Sequence, residues 1–120
     1  MSNSCEIPEC LYPALRLFVD EFNRHLRYFE QLLADPSALQ PEHLKVLIHR
    51  LHTMRGGAAF LQLEEIKDIS REAELHFKNK LQAANFSDSK KELATLAEKL
   101  NSQLQQLTSC LSQIASYNVS

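Results

Sequence analysis

"LYPALRLFVDEFNRHLRYFEQLLAD", residues 11–35, sets Leu11, Leu15, Phe18, Phe22, Leu26, Phe29 and Leu33 at spacings of three and four. That rhythm is one apolar stripe along a helix. Pro13 suits the first turn, where a missing N–H breaks no helical hydrogen bond. "DPSALQP" (35–41) then stops the pattern with two prolines. A second stripe begins near Pro41 and runs through Leu44, Leu47, Leu51, Met54, Ala58 and Leu61. A third runs from about Glu64 to Leu81, with Ile66, Ile69, Ala73 and Phe77 inward. After "AANFSDS" (83–89), Ser89 and Glu92 make a capping-box signature for a last helix through Leu93, Leu96, Leu100, Leu104, Leu107, Leu111 and Ile114. Four amphipathic helices with short connections predict an all-α, antiparallel up-down four-helix bundle. The expected organisation is a single domain over residues 1–120, with residues 1–10 as a loose N-terminal arm.

Composition narrows the partners. Leu, Ala, Glu, Gln and Lys abound, and strand-type β-branched runs are absent. A net charge of −2 gives no basic footprint for nucleic acid and no polybasic patch for an anionic membrane. No apolar run approaches the roughly 18 residues that would span a bilayer. The opening "MSNSCEIPEC" lacks the basic-then-apolar pattern of a signal peptide. Cys5, Cys10 and Cys110 have no metal-type spacing, and their odd number suggests free thiols in a reducing compartment. A cytoplasmic, monomeric protein is expected.

The chain has only two glycines, and both fall in "LHTMRGGAAFL" (51–61), four and five positions after His52. Glycine within a helix costs roughly 1 kcal/mol relative to alanine. Because the second stripe continues past them to Ala58 and Leu61, they are expected inside the helix. At about 100° per residue, His52 falls on the shoulder of the stripe, and Gly56 lies about 40° away on the same side. The effect is to clear bulk around one imidazole on an exposed face. A histidine approached by a large partner needs that clearance.

"HTMRGG" (52–57) resembles the H-x-[L/M]-[K/R]-G signature of histidine-containing phosphotransfer (HPt) domains, including the phosphoacceptor domain of chemotaxis-type histidine kinases. The match extends without gaps down the next helix through Leu63, Ile66, Ile69, Ala73 and Glu74. Two departures stand out. Gln62 occupies a position where the family usually has glycine, and Arg55 replaces the commoner lysine, keeping the charge.

The resemblance implies a four-helix bundle in which His52 carries a phosphoryl group on Nε2. Histidine suits the task because its ordinary pKa near ~6.5 leaves the neutral, nucleophilic ring available at neutral pH. It also implies that Glu74 accepts a hydrogen bond from Nδ1, fixing the tautomer and supporting positive charge on the ring. The plainer reading of Glu74 is a solvated carboxylate paired with Arg71 or Lys78 at helical spacing. Arg55, one turn from His52, would neutralise phosphoryl oxygens, and Gly56 would admit the partner. Gly57 suits a local packing need. Phe60 fits either an apolar docking patch or a cover over the next turn.

His49 and His52 form H-x-x-H, but a metal site needs more ligands than these two. His25, His43 and His76 read as surface or boundary residues. The chain has neither a glycine-rich phosphate loop nor room for an ATP-binding domain, so no autokinase activity and no resident cofactor are expected. Any Mg²⁺ should sit with the partner's aspartates. The leading expectation is therefore a non-enzymatic phosphocarrier between a histidine kinase or receiver domain and a response-regulator aspartate. The alternative is an HPt-like module that binds such partners without carrying phosphate.

Overall fold

A computed structural model describes residues 7–119, with side chains through Ile114. Its helices are α1 (Tyr12–Ala34), α2 (Pro41–Phe60), α3 (Glu64–Ala83) and α4 (Ser89–Val119), preceded by a single 3₁₀ turn at Glu9–Leu11. They form an antiparallel bundle in which α1 packs closely on α4 and α2 on α3. From Ile7 onward the N-terminal arm is held, since Ile7 and Leu11 pack on the core. Residues 1–6 of the expected arm, Cys5 among them, lie outside the described residues.

The helices form where the stripes place them. On α1 the buried face is Leu15, Phe18, Val19, Phe22, Leu26, Phe29 and Leu32, with Phe18 and Phe22 edge-to-face at 5.7 Å between ring centroids. On α2 it is Leu44, Leu47, Leu51, Met54 and Ala58. The α3 face differs from expectation. Ile66, Ser70, Glu74 and Phe77 are buried, while Ile69 and Ala73 are only partly so. Polar Ser70 and Glu74 occupy the inward stripe, which turns α3 slightly from the face that apolar residues alone would select.

Helix ends show two further departures. Ser89 is the first residue of α4, and its buried hydroxyl has no hydrogen-bond partner. The expected capping box does not form, because the Glu92 carboxylate is held by Lys80 at 2.9 Å and His76 at 3.1 Å. At the start of α2, His43 Nδ1 accepts the Gln40 N–H at 2.9 Å. His43 is thus a cap rather than an ordinary boundary residue.

The turn after α2 has the left-handed backbone that glycine would favour, although Gln62 stands there. Gln62 has φ 60°. The Leu63 N–H donates to Ala58 C=O at 2.8 Å, and the Gln62 N–H to Ala59 C=O at 3.1 Å. These are the paired bonds of a Schellman close. Ala84 (φ 51°) closes α3 in the same region of backbone space.

Cys110, buried on α4, is disulfide-bonded, and Cys10 is an exposed free thiol. The expectation of free thiols therefore fails for Cys110. Three cysteines allow one bridge and one thiol, so an odd count never excluded a disulfide. No helix among the described residues is long and apolar enough to cross a membrane.

Candidate functional site

Two helices build the site. His52 stands on α2 one position beyond buried Leu51, which puts it on the rim of the core with its side chain 59% exposed. Glu74 stands on the inward face of α3, one turn after buried Ser70, with its side chain only 3% exposed. Their helices pack closely enough that Glu74 Oε2 lies 3.1 Å from His52 Nδ1. A buried carboxylate thus sits behind an exposed ring.

Two cations besides the His52 ring surround that carboxylate. Lys78 Nζ is 3.1 Å from Oε2, and Arg55 Nη1 is 3.5 Å from Oε1. Oε1 is itself buried without a hydrogen bond. Burial pushes the Glu74 carboxyl up, but hydrogen bonds from Lys78 and His52 and the charge of Arg55 outweigh it, and the net shift is downward. Glu74 is ionised at neutral pH.

Arg55 Nη2 also lies 2.9 Å from His52 Nδ1. A guanidinium only donates, so Nδ1 cannot satisfy Arg55 and Glu74 together. A ring proton on Nδ1 favours Glu74, the stronger, charged acceptor, and leaves Arg55 to turn toward Oε1. In that tautomer the Nε2 lone pair is free on the exposed ring.

The glycines divide the labour. A Cβ on Gly56 would meet nothing within 4 Å, so that position is open surface beside His52. A Cβ on Gly57 would fall 2.8 and 2.9 Å from two ring atoms of Phe18. A side chain at position 57 would force the Phe18 ring on α1 to shift. Phe60 is exposed and does not cover the next turn.

Of the residues singled out in sequence, His52, Glu74 and Arg55 come together, with Gly56 alongside. Glu74 takes up Lys78 as well as His52, while Arg71 pairs with Asp68. The Lys78 pairing belongs to the plainer reading of Glu74 and is present, but the carboxylate is buried rather than solvated, so Lys78 joins the site instead of replacing it. His76 faces Glu92 on the α3–α4 side and is remote in role. Among the described residues no group of three or more His, Cys, Asp or Glu side chains could hold a metal ion.

A family model for the Hpt domain matches residues 13–116, nearly the whole bundle. The chain belongs to the Hpt domain family. Hpt domains are phosphocarriers of two-component signalling and interact with kinase and receiver domains. The match spans all four helices, so the Hpt domain includes both the histidine helix and the helix that carries Glu74. No curated protein and no solved structure gave a match.

Proposed function

We propose that this Hpt domain is a cytoplasmic phosphorelay carrier that holds its phosphoryl group on His52 Nε2 and passes it to a response-regulator aspartate. The observation that carries this reading is the buried Glu74 carboxylate 3.1 Å behind the exposed His52 ring. Binding alone needs no oriented imidazole.

In loading, the Nε2 lone pair attacks phosphorus as the bond from phosphorus to the donor breaks. With an aspartyl-phosphate donor, the leaving group is the donor carboxylate. The ring gains positive charge, which the Nδ1–H···Glu74 hydrogen bond stabilises. Arg55 swings from Glu74 Oε1 toward the phosphoryl oxygens, which carry about −1.5 to −2 charges. In unloading, an aspartate oxygen of the receiver attacks phosphorus, the N–P bond breaks, and the neutral ring returns with its proton still on Nδ1. Mg²⁺ belongs with the partner's aspartates, and the carrier itself acts as a monomer without cofactor or autokinase activity. Gly56 admits the partner's active site.

The test is radiolabel transfer from a panel of phosphorylated receiver domains and histidine kinases, with His52→Gln in parallel. Acid-labile, alkali-stable label on the wild type alone is the expected result. Label on His52→Gln would refute the assignment. Partner binding without label would favour the module that binds but does not carry phosphate.

A further inference from the structure

The two closest helix pairs, α1 with α4 and α2 with α3, leave α1 and α2 less intimately joined. Below the Gly57–Phe18 contact the space between them opens into a groove of about 690 Å³. Its walls carry Arg24, His25, Arg27 and Tyr28 from α1, with His49 and Arg50 from α2. The only carboxylate in the lining is Glu21. A chain of net charge −2 therefore has a local reversal of sign here.

The arginines are not neutralised. None of Arg24, Arg27 and Arg50 joins an ion pair among the described residues. Arg50 is held in place without a counter-charge, its guanidinium carbon 4.4 Å from the Tyr28 ring centroid. Its Nη1 donates to His25 Nδ1 at 2.9 Å. Its Nε is buried and has no hydrogen-bond partner. Burial, followed by the charges of Arg50 and Arg24 and the nearby His49, lowers the His25 imidazole to about 4. Burial first, and the neighbouring arginines second, keep that ring neutral.

The groove also runs beside the His52 segment of α2. His49 and Thr53 line it, and they flank His52 on α2. A protein seated on His52 would therefore meet the groove at His49 and Thr53.

We propose that the α1–α2 groove binds an acidic segment of the protein that docks on His52, with Arg24, Arg27 and Arg50 taking its carboxylates. This rests on the carrier reading for the identity of the docked protein. Arg50, stacked and fixed, forms the floor, and exposed Arg24 and Arg27 close over the bound chain. Arg24, Arg27, His49 and Thr53 of its lining are exposed, which suits side chains of a second protein better than an enclosed small anion.

The test uses the full chain, labelled with ¹⁵N, titrated with a hexaglutamate peptide, with a hexaglutamine peptide and with inorganic phosphate. Hexaglutamate is expected to shift the amides of Arg24, Arg27, His49 and Arg50 and to raise the His25 pKa above 4. Arg24→Gln/Arg27→Gln, both solvent-facing positions, should weaken binding about tenfold, as should high salt. The proposal is overturned if hexaglutamine binds as well, if the shifts fall elsewhere, or if the double variant binds unchanged. Phosphate binding without peptide binding would replace the protein segment with a free anion. His52 loading of the wild type by phosphoramidate is measured separately. Failure there removes the carrier reading, whereas failure of the peptide alone removes the groove.

Discussion

Glu74 reaches His52 from the core side, its Oε2 3.1 Å from Nδ1, so the exposed ring is oriented by a group that solvent does not reach. Glu74→Gln should slow loading of His52 by at least about tenfold, short of the ~10⁴ that an orienting carboxylate can contribute in a buried triad. Partner affinity should hold. Imidazole ¹⁵N shifts provide a readout that a purely structural role would not move: the Nδ1–H tautomer should lose its dominance.

Gly56 and Gly57 predict opposite outcomes for the same substitution. Gly56→Ala adds a methyl to open space and should raise stability by roughly 0.5–1 kcal/mol, while slowing transfer between proteins. Gly57→Ala drives a methyl into Phe18, whose ring is edge-packed on Phe22. It should destabilise by about 1–2 kcal/mol after the propensity gain. Denaturant melts of the two variants check both signs.

Gln62 holds a left-handed backbone at a turn that still makes both closing hydrogen bonds. Gln62→Gly should stabilise the fold by about 1 kcal/mol, because glycine carries no steric penalty there. Ala84→Gly should act in the same direction at the end of α3. Chemical denaturation curves that move to lower denaturant for both would contradict the turn geometry.

Acid should destabilise the fold in two stages. His25 has its pKa lowered from 6.5 to about 4, so between those values the unfolded chain binds the extra proton. Stability therefore falls as pH drops from 6.5 toward 4, by at most ~1.4 kcal/mol per pH unit and less where solvent screens the ring. Glu74 and Glu92 have lowered values, so their stabilisation is present above about 4.5 and is lost as pH falls through their folded values. His25→Gln should flatten the upper stage and leave the lower one, as read from unfolding free energies at pH 7, 5.5 and 4.5 and at a point well below 4.5.

Apolar periodicity made α1, α2 and α4 legible, because in each the inward face is almost wholly hydrophobic. On α3 the same logic selected Ile69 and Ala73, since nothing in a hydropathy pattern marks Ser70 and Glu74 as core-facing. The proximity of Glu74 to His52 came from resemblance rather than spacing, for it depends on how α2 and α3 pack. Gly57 was legible as a packing need, but its partner Phe18 lies 39 residues earlier on another helix and only the fold joins them. The groove arginines were illegible for a similar reason. Arg24 and Arg27 sit among acidic neighbours in sequence, and only the α1–α2 pairing sets them opposite Arg50.

With Nδ1 committed to Glu74, His52 has a single free nitrogen on a single open flank. On the proposed carrier reading, donor and acceptor then take turns in the same space, and no ternary complex passes the group directly. Throughput becomes a matter of queueing: an excess of idle acceptor should block reloading, and the relative abundance of the two partners, more than either affinity alone, should set the direction of flow.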